Sequence, residues 1–175
     1  MIVIGVDPGV TGAIVSYDSN GNLKLMPIPL INFKLIKKEI DWGFLKQYIE
    51  SSFMDWSFND ARIPVPSPNT HVFIEQTWSH RGQGISSTYK FGYNSGILHG
   101  LFLALGFPIT YVSPQRWKKE MGLIGKDKKD SVVKAENLFP KYKSWFRGPK
   151  GGIKDGLAEA ALIAKYGYDV ISEGS

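Results

Sequence analysis

The stretch MIVIGVDPGVTGAIVSYD (Met1–Asp18) decides how the rest of the chain is read. An apolar run ends on a single charged residue, Asp7. Pro8 and Gly9 then form a turn signal, and a second apolar run starts beyond Gly12. The pattern predicts a strand over 1–7, a tight turn, and a second strand over about 11–18. Ser19-Asn20-Gly21 marks the next turn, because Asn-Gly favours the left-handed backbone of hairpins, and a third strand follows over about 22–28. Taken alone, Asp7 is an ordinary turn residue. It gains meaning only if other acids stand in comparable settings.

The later elements are read the same way. Apolar positions at helical spacing, among them Phe44, Leu45, Tyr48 and Ile49, predict a helix over 41–56 behind an Asp41 cap. The Pro-rich stretch NDARIPVPSPNT (59–70) is a connector, and HVFIEQ (71–76) has the composition of a buried strand. A long glycine-containing helix is predicted over 85–105 and a strand over 107–113. A helix then starts behind Ser113 with Pro114 in its first position. Another helix covers 127–139 and stops at Pro140. A basic, glycine-rich loop occupies 141–153, and an alanine-rich helix covers 155–167 with Gly167 as its terminator. The order βββ-α-β-α-β-α-α predicts an α/β plan, in which a three-stranded antiparallel meander joins parallel strands in a mixed sheet flanked by helices.

Length and composition bound the class. The 175 residues suit one domain, 1–175, with 43% apolar and 21% charged residues. With no cysteine and three scattered histidines (His71, His80, His99), neither a disulfide framework nor a Cys-based zinc site is expected. No targeting leader is evident and no run has membrane-spanning length, so the expected location is the cytoplasm, or a host's cytoplasm for a phage protein. The formal charge is +5 and the sequence pI about 9.3, with the excess concentrated between Arg116 and Lys154. Such a balance favours a polyanionic partner.

Three further acids share the oddity of Asp7. Glu75 closes the apolar strand VFIE, where a charge is costly unless paired or coordinated. Asp155 and Glu159 stand four residues apart on the last predicted helix and therefore share one face. Clustered carboxylates repel one another. A hard divalent cation such as Mg²⁺ removes that conflict, and two ions roughly 4 Å apart support phosphodiester cleavage.

These residues carry a resemblance to RuvC-type Holliday-junction resolvases, of the phage and organellar branch, within the RNase H-like superfamily. It rests on GVDPGVTGA (5–13), VFIEQTW (72–78), VSPQRWKKEMGL (112–123), KDKKDSVVKAENLFP (126–140) and DGLAEAALIAKYG (155–167), in family order. The resemblance implies a Mg²⁺-dependent (or Mn²⁺-dependent) endonuclease that nicks four-way DNA junctions in pairs with two ions per site, leaving 5′-phosphates. Asp7, Glu75, Asp155 and Glu159 match the metal-binding acids, though the last pair is spaced four apart where well-known bacterial members have three. Lys118 and Lys129 match lysines near the scissile phosphate. Trp78 matches an aromatic near the junction centre, and Arg81 shares its loop. Arg116, Lys119, Lys126 and Lys128 are expected to form a phosphate-binding face, with Lys150 and Lys154 as backbone contacts. Helix starts near Ser113 and Asp127 offer further amides to phosphate. A homodimer is implied, with its matching face among Tyr89, Tyr93, Ile97 and Phe102, although the same residues read equally well as core; no membrane or nucleotide cofactor is expected. Other expectations remain open: a related nuclease acting on other branched DNA or RNA–DNA hybrids, or a junction binder without activity. An actin-like kinase shares the opening strand–turn–strand, but its second phosphate-binding turn and adenosine motif are missing from the sequence.

Overall fold

The computed structural model describes residues 1–33, 36–55, 64–76 and 84–174. The opening stretch forms β1 (Ile2–Asp7) and β2 (Ala13–Asp18), paired antiparallel from Ile2↔Asp18 to Asp7↔Ala13. The intervening turn is closed by the Gly12 N–H donating to the Gly9 carbonyl at 2.9 Å, so β2 starts two residues later than the sequence predicts. Asp18 then accepts from the Asn20 and Asn22 amides, each at 2.9 Å. With Gly21 at φ 78°, this turns the chain into β3 (Leu23–Pro27).

A small hairpin follows, β4 (Leu30–Phe33) with β5 (Ile36–Ile40). Asp41 caps α1 (Trp42–Phe53) by accepting from the Phe44 amide at 2.9 Å. The helix ends short of the predicted residue 56, because Met54–Asp55 (β6) extends to pair with Val65–Pro66 (β7). Then come β8 (Thr70–Glu75), α2 (Ile85–Ala104), β9 (Ile109–Val112), α3 (Pro114–Glu120), α4 (Lys128–Leu138), a 3₁₀ segment (Pro140–Phe146) and α5 (Asp155–Glu173).

The main sheet has the order β3-β2-β1-β8-β9, antiparallel through the first three strands and parallel from β1 to β9. This is the expected mixed sheet. Alternate residues of β1 and β8 feed two cores. Val3 and Phe73 pack with Trp117, Val132 and Leu162 on the α3–α5 side. Ile4, Val6 and Ile74 pack with Leu45, Ile49, Leu98 and Phe102 on the α1–α2 side.

One expectation needs correction, and one open reading is decided. Gly167 does not end the last helix: α5 runs on to Glu173, and a Cβ at residue 167 would stand 2.5 Å from the Phe73 ring. The glycine serves close packing, not termination. Of the residues open to either an interface or a core reading, Phe102 belongs to the core. It is fully buried, edge-on to Phe107 with centroids 5.6 Å apart.

Candidate metal centre and nucleic-acid face

The site is assembled by register. β1 and β8 run parallel from Ile2↔Thr70 to Val6↔Ile74, and one further step along this ladder places Asp7 beside Glu75. In-register neighbours on adjacent strands project to the same face. For Asp7 and Glu75 that face is the one shared by Val3 and Phe73, which α5 covers.

α5 approaches that face unusually closely. A Cβ on Gly5 would lie 2.2 Å from the Ala160 carbonyl oxygen, and one on Gly156 would lie 2.1 Å from the Thr11 carbonyl oxygen. Only glycine permits such backbone contact. The first turns of α5 are thereby pressed against the β1–β2 turn, bringing Asp155 and Glu159 towards Asp7.

The electrostatics register this convergence. Burial first, then the charges of Glu75 and Glu159, push the Asp7 carboxyl from its ordinary 3.8 up to about 7. The Gly9 amide, 3.3 Å from its Oδ1, opposes the shift, and Asp155 adds to it. Glu75, only 6% exposed, is also raised, mainly by burial and further by Glu159; the Trp117 N–H and Lys118 act against this. Like charges held together by the fold need a cation to offset them.

Neighbouring helices supply partners to the acids. The fully buried Trp117 donates its indole N–H to Glu75 Oε1 at 2.8 Å. Ser131 Oγ donates to Glu159 Oε1 at 3.2 Å, and Lys118 Nζ lies 3.3 Å from the same oxygen. Lys128 pairs with Asp155, which raises the lysine pKa. Asp155 is the first helical residue, and the preceding Lys154 holds the cap position without a side-chain bond. The carboxylate therefore does not cap its own helix. Among the described residues, no three His, Cys, Asp or Glu side chains already stand in closed metal-holding geometry. The acids lean on lysine, tryptophan and serine instead.

The remaining sequence-predicted residues divide. Lys118 and Lys128 join the acidic centre, whereas Lys129 is exposed and forms no ion pair among the described residues. Arg116 lies away from the centre, lining a groove of about 440 Å³ with Glu120, Lys134, Lys165 and Asp169. Lys126 lines a smaller depression of about 250 Å³ over the outer side of α4. Lys119, Lys150 and Lys154 are exposed. Trp78 and Arg81 lie outside the described residues. Two of the expected phosphate-binding amides of α4 are already taken: Asp127 accepts from the Lys129 and Asp130 amides at 2.7 and 3.1 Å, and the Asp130 carboxylate in turn accepts from the Asp127 amide at 3.0 Å. Those of α3 are partly taken by Ser113.

Sequence reading did not assign a role to Trp117 or Ser131. The one available signal for Trp117 was a large aromatic set in the otherwise polar stretch SPQRWKKE, which marks the buried side of that helix.

Comparison with known structures fixes the architecture. Thermus thermophilus RuvC in complex with a Holliday junction substrate superposes with a TM-score of 0.56, covering 99% of this chain and 97% of that one at 16% identity. The fold is that of RuvC. A second Thermus thermophilus RuvC structure gives a TM-score of 0.52 over 98% of this chain and 97% of the other, again at 16% identity. In sequence, the chain is similar to the chloroplastic Holliday junction resolvase MOC1 of Chlamydomonas reinhardtii, with 34% identity over 111 residues, or 61% of this chain. The match spans 12% of that protein's length. No family model matches. The mixed sheet is thus shared with RuvC in structure, and the sequence likeness is to a Holliday junction resolvase.

Proposed function

We propose that the chain is a divalent-metal-dependent endonuclease that resolves four-way DNA junctions by paired nicks. One observation carries the reading: Asp7 and Glu75 stand side by side, by strand register, under the helix that bears Asp155 and Glu159. The donor set suits Mg²⁺ or Mn²⁺, being all carboxylate, partly buried and mutually repelling. Two such ions, when bound, supply an activated water and charge compensation for the departing 3′ oxygen. Asp7, Glu75, Glu159 and Asp155 would hold them. Trp117 and Ser131 fix the orientation of Glu75 and Glu159, and burial keeps bulk water from competing for those oxygens. Lys118 and Lys128, each paired with one of the acids, would balance the charge of a scissile phosphate, with Lys129 as a further contact. The exposed Lys119, Lys126, Lys150 and Lys154 extend the phosphate-facing surface, and Trp78 and Arg81 would meet the junction centre.

A homodimer fits a substrate with two scissile strands. The outer side of α2 supports it: Ile85 is 91% and Tyr89 71% exposed, and the Tyr89 and Tyr93 rings stack at 6.2 Å. No helix among the described residues is long and apolar enough to cross a membrane. A cytoplasmic setting belongs to the same proposal.

The test is a panel of labelled four-way junction, flap, fork and RNA–DNA hybrid, with and without Mg²⁺. Symmetric paired incisions confined to the junction, abolished in Asp7→Asn and Glu75→Gln while junction binding persists, are expected. Preference for the hybrid or flap would redirect the substrate, and binding without cutting would make the chain a junction-binding protein.

A further inference from the structure

Outside the acidic centre, the segment Lys141–Lys154 (KYKSWFRGPKGGIK) is the surface feature with least structural explanation. It holds five cations and no carboxylate, as many charges as the whole chain's formal excess of +5. Outside it the formal charges balance, and within the basic stretch from Arg116 to Lys154 this is the part with no compensating carboxylate.

The segment folds back as a finger tied down at its root. Phe146 is fully buried, and Arg147 grips Glu136 with two bonds of 2.6 and 3.0 Å. Arg147 and Ile153 form a bridge, inside which the Gly148 amide donates to the Gly152 carbonyl at 2.6 Å. The Phe146 carbonyl accepts from the Lys154 amide at 3.0 Å, so the finger returns one residue before Asp155. Its root is thus fixed to the first turn of the acid-bearing helix.

On this frame Trp145 is 49% exposed, with no hydrogen bond or ring contact among the described residues. Lys143, Lys150 and Lys154 are exposed and form no ion pair there. A half-exposed indole on the same short segment as exposed ammonium groups matches the chemistry of a single nucleic-acid strand, which offers phosphates and an unstacked base together.

We propose that this finger is a second DNA-contact element. Lys143, Lys150 and Lys154 take phosphates of the strand next to the acidic centre, and the Trp145 indole stacks on an unpaired base at the branch. The proposal rests on the junction-nuclease reading. Duplex DNA presents phosphates but no free base face, so the two contact types separate: the lysines serve affinity for any DNA, and Trp145 serves discrimination in favour of branched DNA.

The experiment compares the full chain with Trp145→Ala, Trp145→Phe and the Lys143→Ala/Lys150→Ala double variant. Binding to a four-way junction carrying 2-aminopurine at the branch, and to a linear duplex of equal length, is measured in chelator at several salt concentrations. Light scattering checks the mass of each variant. Trp145→Ala should weaken junction binding by about tenfold and duplex binding by less than about twofold, with the branch fluorescence change lost. Trp145→Phe should recover most of the difference. The lysine double variant should weaken both substrates and lower the salt slope by about two. Equal binding by Trp145→Ala and wild type, an equal loss on both substrates, or a loss traced to a change in oligomeric mass would overturn the assignment. Asp7→Asn separates the two claims. If it still cuts while Trp145→Ala loses junction selectivity, the nuclease centre falls and the finger stands. If it is inactive while Trp145→Ala is silent, the reverse holds.

Discussion

α5 carries two residue pairs at the same spacing, and they follow opposite rules. At its C-terminal half, Lys165 and Asp169 attract, with the ammonium 2.6 and 2.7 Å from the two carboxylate oxygens across a partly exposed turn. That arrangement is the ordinary helix-surface pair, contributing a few tenths of a kcal/mol in isolation. At the N-terminal end, Asp155 and Glu159 repel. Their partners come from other elements: Lys128 and Ser131 on α4, and Lys118 on α3. They also sit near Asp7 and Glu75, which adds more like charge. One end of the helix is arranged for stability, and the other carries a strain that only tertiary structure or bound cations relieve. Locally unfavourable chemistry of this kind marks function.

The largest expected effect lies at the acidic end. Asp7→Asn or Glu75→Gln should lower junction cleavage by at least about a thousandfold, read as single-turnover rates, with binding in chelator retained. Wild-type cutting by either variant would erase the contrast between the two ends. Trp117→Phe removes the N–H aimed at Glu75 together with part of the core volume, because the phenyl ring is smaller than the indole. It should weaken Mn²⁺ binding by roughly 10- to 100-fold, measured by calorimetry well below the variant's own melting temperature, which the smaller ring lowers. If metal affinity is unchanged, Glu75 does not depend on that bond.

The strain also predicts a pH dependence. Asp7 is raised from 3.8 to about 7, so its protonation favours the metal-free fold fully below pH 3.8, and this support is lost as pH rises through 7. In chelator, the melting temperature should fall by several degrees between about pH 5 and about pH 8, and Asp7→Asn should flatten the slope. Mg²⁺ should restore the loss in wild type alone. The smallest effect belongs to the other end. Lys165→Ala or Asp169→Ala should change stability by less than about 1 kcal/mol in a denaturant titration and leave cleavage unaltered.

The same contrast explains what the sequence could reveal. Asp7 and Glu75 were legible because a charge closing an apolar run is conspicuous, and Asp155 and Glu159 because helical spacing puts them together. Their convergence was not legible, since it depends on the β1–β8 register and on the backbone contacts at Gly5 and Gly156. Lys128 and Lys129 are neighbours in sequence, and only the packing of α4 against α5 decides which one reaches Asp155. Gly167 reads as a stop signal, yet it makes room for Phe73. Phe102 shares a helix with exposed tyrosines, and only the fold turns its side inward. The β4–β5 hairpin was missed because its short strands alternate poorly and its register shifts between Ile31 and Phe33.

The central claim is that side chains distant in the chain hold cations jointly, and a double-mutant cycle on metal binding tests it most directly. Mn²⁺ is titrated by calorimetry into wild type, Asp7→Asn, Glu75→Gln and the double variant. A shared site predicts that each single change removes most of the binding and that the second adds little. Undiminished binding in either single variant, or two losses that simply add, would contradict it.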